Sequence, residues 1–144
     1  MLSQKTRYAL HALFVLAKHK GSDPMMIAQI ADQASVPKKF LEQILLELKH
    51  RGIVYSIRGK HGGYTLGRKP EEISFTEIIR AIDGPIALAS CVSLTAYRKC
   101  DDCEDEKTCA IRKVLLQVRI STVEILENYT LADAIGLKSS RAKR

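Results

Sequence analysis

Residues 37–66 read PKKFLEQILLELKHRGIVYSIRGKHGGYTL, and the change of period inside this stretch decides the fold. Phe40, Leu41, Ile44, Leu45 and Leu48 recur at helical spacing, so a helix opening at Pro37 is expected to turn them inward. Gly52 stands where a left-handed residue ends such a helix. Ile53 to Arg58 and Tyr64 to Leu66 are short β-branched or aromatic runs, separated by Gly59, Lys60, His61, Gly62 and Gly63. That pattern predicts a hairpin with a flexible basic tip.

Upstream, Leu10, Leu13, Phe14 and Ala17 line one face of a helix opened by Ser3 and closed near Gly21. Asp23 followed by Pro24 reads as the cap and first turn of a second helix, lined by Ile27, Ile30, Ala31 and Ala34. Three closely spaced helices and then a two-stranded wing describe a winged helix-turn-helix, mainly α within the α+β class. Downstream, Ser74 and Glu77 form a capping box for a helix buried through Phe75, Ile78, Ile79 and Ile82, stopped at Gly84 and Pro85. No Gly or Pro interrupts Cys109 to Tyr129, so a helix of about 20 residues, roughly 30 Å long, is expected.

The apolar residues of that long helix are too many for one stripe. Ile111, Val114, Leu115, Val118, Ile125 and Leu126 suit one face, whereas Leu116, Ile120 and Val123 lie off it. Either a second copy of the chain covers the extra side, making this a dimerisation helix in a homodimer, or the winged domain covers both. Thr130 with Asp133 caps a short last helix. The expected organisation is a DNA-binding domain over 1–84, a cysteine-containing sensor loop over 85–108, dimerisation and terminal helices over 109–136, and a frayed basic tail over 137–144.

At 144 residues and 46% hydrophobic content, the chain can fill one core, which excludes disorder throughout. No apolar run approaches the roughly 18 residues of a membrane span, and the N-terminus lacks a signal-peptide pattern, so a cytoplasmic protein with no membrane partner is expected. The net charge of +7 is unevenly placed. Between residues 48 and 70 there is no acid, only Lys49, Arg51, Arg58, Lys60, Arg68 and Lys69 with His50 and His61, whereas Asp101, Asp102, Glu104, Asp105 and Glu106 crowd the cysteines. The first region is therefore the candidate for phosphate contact.

In a helix-turn-helix the second helix of the unit enters the major groove. Here Lys38 and Lys39 reach phosphate or guanine, Gln43 suits adenine, and Glu42 accepts from a cytosine amino group. A carboxylate facing phosphate is repelled unless cytosine compensates it, so Glu42 would filter sequences; the plainer reading is a solvated glutamate paired with Lys38 or Lys39. Arg58 precedes the glycine-rich tip and suits a narrow minor groove, with Lys60 and His61 as phosphate contacts. No nucleophile, base and orienting partner cluster, and no phosphate-binding glycine loop opens a helix, so the chain reads as a non-enzyme.

The cysteines are spaced Cys91-x8-Cys100-x2-Cys103-x5-Cys109. In a reducing compartment such a cluster reads as soft metal ligands before disulfides, and spacing alone does not separate zinc from an iron-sulfur cluster. The interspersed acids oppose a bare thiolate and favour a bound cation. A Cys100–Cys103 disulfide switch is the thiol-only alternative, and a zinc-stabilised interaction module is the rival of another class.

Several stretches together are specific: Lys5-Thr-Arg-Tyr-Ala9, Phe40-Leu-Glu-Gln43, Arg58-Gly59 with Gly62-Gly63-Tyr64, and Tyr129-Thr-Leu-Ala-Asp133. From about Leu2 to Ile135 the chain resembles the Rrf family of bacterial winged-helix regulators, of the IscR, NsrR and CymR kind. The resemblance implies a homodimer on double-stranded operator DNA, Glu42 as the discriminating glutamate, Arg58 as the minor-groove arginine, and a cluster that tunes operator choice. It implies Cys103 and Cys109 as the last two cluster cysteines, while the first is ambiguous because an insertion containing Cys100 separates Cys91 from Cys103. The family's cluster histidine falls at Arg112, so all four cysteines, or three with a non-histidine ligand, are expected to hold iron. The expected cofactor is 2Fe-2S ahead of 4Fe-4S; members without a cluster also exist. Order in residues 85–108 would then set how two recognition helices are spaced across a DNA turn of roughly 34 Å.

Overall fold

Three helices, α1 (Gln4–Lys18), α2 (Ile27–Ala34) and α3 (Lys38–His50), precede an antiparallel hairpin of β1 (Val54–Ile57) and β2 (Gly63–Leu66) in the computed structural model, which describes residues 1–137. They are followed by α4 (Phe75–Ile82), the long α5 (Ala110–Asn128) and the short α6 (Leu131–Ala134). This is a mixed winged helix with a long C-terminal helix. The expected basic tail lies, from Lys138 onward, outside the described residues. Among the described residues, no helix is long and apolar enough to cross a membrane.

Local chemistry starts most elements where the periodicity places them. The Ser3 hydroxyl accepts the Thr6 N–H to cap α1, and Gly52 takes φ 71° just beyond α3. Leu13 of α1 meets Ile30 of α2 and Leu41, Ile44, Leu45 and Leu48 of α3 in one fully buried core. Phe40 does not point inward: it is 60% exposed, one position off the buried stripe, with its ring 6.3 Å from Tyr8.

Asp23 and Pro24 do not start α2. Met26 occupies the cap position, and the Gln29 side chain accepts its N–H. Residue 25 belongs to the sheet instead, exchanging backbone hydrogen bonds of 2.9 and 2.8 Å with Tyr64. Gly63 makes this crossing possible, since a Cβ there would lie 2.2 Å from the Met25 carbonyl oxygen. The capping box at α4 is half formed: Ser74 accepts the Glu77 N–H, but the Glu77 carboxylate pairs with Arg68.

Helix α5 buries no residue fully. Its inner side is half-buried through Leu115, Leu116, Arg119, Thr122, Val123 and Leu126. The face expected to hold Leu115 and Leu126 together with Ile111 is therefore divided. Ile111, Val114, Val118 and Ile125 form a separate exposed stripe, with Ile111, Val114 and Ile125 between 61% and 71% open.

After α5 the chain returns to the winged body. The Phe75 N–H donates to Tyr129 O at 2.9 Å, and Leu131 N–H donates to Ile73 O at 3.0 Å. Thr130 and Asp133 complete a reciprocal cap, and Leu131 is fully buried in the same core as α1 and α3. Leu131→Ala should therefore cost about 2–5 kcal/mol in denaturant unfolding. A loss below about 0.5 kcal/mol, as at an ordinary surface position, would show the last helix to be dispensable to the fold.

Candidate nucleic-acid interface and cysteine cavity

The outward side of α3 carries Lys38, Lys39, Glu42, Gln43, Lys49 and His50, all exposed. They stand there because the opposite stripe is consumed by the core. Glu42 joins neither Lys38 nor Lys39 in an ion pair among the described residues. Gln43 is held, donating to Glu47 at 3.3 Å, and Glu47 in turn pairs with Lys5 of α1. Nothing in the residue pattern of α3 announces that Lys5 anchor; it follows from how α1 crosses α3.

Arg58, Lys60 and His61 are exposed on the wing tip. Gly59 sits at φ 115°, and a Cβ at Gly62 would lie 2.2 Å from the Ile57 carbonyl oxygen, so the tip tolerates no side chain at that position. The result is a narrow hairpin end carrying three basic residue types and no acid. Exposed Phe40 adds an aromatic ring beside Lys38 and Lys39 that periodicity had assigned to the core.

The cysteines lie at the far end of the chain's architecture, around the start of α5. Residues 90–98 form a closed loop: Ser90 Oγ donates to Arg98 O at 2.9 Å, and Arg98 N–H donates back to Ser90 O at 3.2 Å. This clasp returns the chain on itself and brings the Cys100 and Cys91 thiols near enough to perturb each other. Arg119 of α5 donates to Val92 O at 3.0 Å, tying the loop to the helix. Cys103 closes a turn on Cys100 with a 3.1 Å backbone bond, and Cys109 caps α5, its sulfur accepting the Arg112 N–H at 3.4 Å. Cys91, Cys100, Cys103 and Cys109 thus all line one cavity of about 480 Å³, shared with Asp102 and Arg112.

Cys91 is buried and the others are half-exposed. The Cys100 thiol is pushed up by its contact with Cys91, then by desolvation and by Asp102. Burial raises Cys103, with Glu106 adding to it and Lys99 opposing. At Cys100 acid repulsion is therefore a lesser cause than the proximity of a second sulfur, whereas at Cys103 Glu106 outweighs the neighbouring sulfurs. Both shifts keep these thiols protonated at neutral pH unless a cation or oxidation removes the proton. Among the described residues, no three Cys, His, Asp or Glu side chains converge on one point as ligands of a single ion. Tetrahedral zinc, at Zn–S of about 2.3 Å, would need its sulfurs within about 4 Å of one another. Four soft thiols around one cavity are a donor set that zinc and iron-sulfur clusters share.

Alkylation of the metal-free protein should reflect these shifts. Mapped by mass spectrometry, the rates at Cys100 and Cys103 should still climb above pH 9, and Cys91→Ala should move the Cys100 profile to lower pH. Half-maximal reaction near pH 8.5, the ordinary thiol value, in the unsubstituted protein would contradict the cavity electrostatics.

Comparison with known proteins places these features in context. A family model described as Rrf2, iron-dependent transcriptional regulator, matches residues 2–136. An Rrf2-like HTH-type transcriptional regulator of Rhodobacter capsulatus is 44% identical over 146 residues, spanning 99% of this chain and 97% of that protein. The structure of CymR, the global cysteine regulator of B. subtilis, superposes with a TM-score of 0.77 at 33% identity, covering 96% of this chain and 98% of that one. The IscR structure from T. potens gives a TM-score of 0.72 at 30% identity, covering 100% and 93%.

Proposed function

The chain belongs to the Rrf2 family of transcriptional regulators, a family of DNA-binding proteins and not of enzymes, and from that premise we propose that it binds operator DNA as a homodimer and senses iron-sulfur status, redox state or nitric oxide through its cysteines. The observation that carries the sensory part is the opening of all four thiols onto one cavity at the first turn of α5. Cys91, Cys100, Cys103 and Cys109 would hold the cluster. When bound, it would supply a redox-active, thiolate-held iron centre sensitive to oxidants and to iron supply. Cys109 caps α5 and Cys91 neighbours the Arg119 anchor, so drawing these sulfurs together repositions the start of that helix.

The exposed stripe of Ile111, Val114, Val118 and Ile125 supports the dimer, because its steps of three, four and seven residues suit a helix seam against a second copy. On the DNA side, Lys38, Lys39, Glu42 and Gln43 face the major groove, and Arg58 the minor groove, with Lys60 and His61 on phosphate.

A second reading is favoured by the proximity of the Cys91 and Cys100 thiols, which pairs different thiols from the Cys100–Cys103 switch expected from spacing. There, two thiols give up two electrons and two protons to hydrogen peroxide, forming a disulfide and two waters.

Anaerobic purification with iron, sulfide and visible-absorbance measurements separates the readings. Bound iron and sulfide, lost in Cys103→Ser and Cys109→Ser, with an operator affinity that differs about tenfold between loaded and iron-free protein, is the expected result. A colourless protein whose affinity follows peroxide and not iron would transfer the function to the disulfide. Arg58→Ala should weaken specific binding by about 1–3 kcal/mol, and Lys60→Ala should weaken binding across sequences and flatten the salt dependence by about one phosphate. Glu42→Ala should relax discrimination at one base pair without loss of affinity. Val118→Glu with Ile125→Glu should yield monomers in sedimentation; a persistent dimer would place the seam elsewhere.

A further inference from the structure

Phe40 stands on the first turn of α3 with 60% of its surface open, one position before the fully buried Leu41. Its ring leans on half-buried Tyr8 of α1, with centroids 6.3 Å apart and planes at 43°, so α1 backs it on one side and leaves the rest bare. A single exposed apolar residue is ordinary in itself; what sets this one apart is its company. Lys38 and Lys39 precede it, the first turn of the helix holds no acid, and Gln43 lies three residues on along the same edge. Resting on the reading of α3 as the major-groove helix, we propose that Phe40 is a specificity-determining residue that selects a thymine by packing its ring against the methyl group of that base.

The occupant follows from the chemistry of the groove. A phenyl ring offers no hydrogen bond, and the apolar feature that a base pair presents in the major groove is the methyl of thymine. An apolar protein partner fits this edge less well, because Lys38 and Lys39 beside the ring carry the charge that a polyanion seeks. Two supports from α1 hold the edge still: Tyr8 backs Phe40, and Lys5 pairs with Glu47, which accepts the Gln43 amide at 3.3 Å. Ring and amide are thus set before DNA arrives, which spares the cost of ordering them on binding. Side chains three residues apart on a helix have Cβ atoms about 5–6 Å apart, and stacked bases repeat at about 3.4 Å, so the two address base pairs one or two steps apart. Gln43 suits an adenine, and Phe40 carries the preference for A·T to a neighbouring pair.

The test starts from duplexes that the full chain, purified anaerobically, selects from a random pool. Each thymine is then replaced singly by deoxyuridine, which removes the methyl and keeps the pairing, and affinities are compared at one salt concentration. At one thymine in each half-site the loss should be about fourfold, the effect of burying a single methyl group. That thymine should lie within about two base pairs of the position where Gln43→Ala relaxes preference. Phe40→Ala should bind the thymine and uracil duplexes equally, with its affinity for unselected DNA unchanged, and Phe40→Leu should retain part of the discrimination. Where circular dichroism shows Phe40→Ala to be unfolded, Phe40→Gln takes its place, since glutamine forms helix well and lacks the ring. Uracil tolerated at every position, or discrimination that persists in the variant without the ring, would overturn the role of Phe40 and leave DNA binding intact. A pool from which no duplex is enriched would overturn the reading of α3 itself, and the thymine contact with it.

Discussion

The attachment of the chain's end to its beginning governs how every other part is placed. Two backbone hydrogen bonds, Phe75 N–H to Tyr129 O and Leu131 N–H to Ile73 O, pin the end of α5 against the entrance to α4. Leu131 then fills the core beneath α1 and α3. A long helix whose inner side is only half-buried thus takes its angle from this tether as well as from its packing on α4 and the Arg119 bond to Val92. With its end fixed by backbone bonds and a buried leucine, α5 becomes a rigid extension of the domain that carries α3 and the wing. At the opposite end of the body, Asp83 accepts from Ser3 and so links the close of α4 to the cap of α1. Burial works to raise the Asp83 carboxyl, but the hydrogen bonds from Ser3 outweigh it and hold the group below its ordinary range.

Much of this was legible wherever a local rule and the global fold agree. Ser3, Gly52, Thr130 and Asp133 do in space what their residue types imply, because caps and left-handed positions depend on immediate neighbours. Reading failed where tertiary contact overrode local preference. Asp23-Pro24 has the chemistry of a helix start, yet residue 25 is captured by Tyr64, and the helix begins only after that bridge. Phe40 is apolar and near the stripe, yet its position at the rim leaves it open beside Tyr8. The cysteine cavity was legible as composition but not as arrangement. No spacing rule foretells that Ser90 and Arg98 clasp each other and thereby bring Cys100 near Cys91 as well as Cys103.

The electrostatic division of the molecule has a physical logic. The surface of α3 and the wing tip is cationic, while the acids gather around the cysteines, where they raise the cost of an uncompensated thiolate. A region that gathers acids around neutral thiols would be a poor neighbour for DNA, since its own charge repels phosphate. Separating the two along α5 lets each keep its favoured potential. It also means that any influence of one on the other must travel through structure, because exposed charges more than about 10 Å apart are largely screened at physiological salt.

That structural route can be bounded. Helix α5 has 19 residues and is about 28 Å long at 1.5 Å per residue. If its far end is fixed by Tyr129 and Leu131, a displacement of about 1 Å at Cys109 swings it by only about 2°. In a dimer sealed along the Ile111–Ile125 stripe, however, that swing alters the mutual angle of both bodies, and the reading heads must match a half-site spacing of roughly 34 Å. A rigid helix clamped at one end and capped by a cysteine at the other is thus suited to converting small sulfur movements into changes of register.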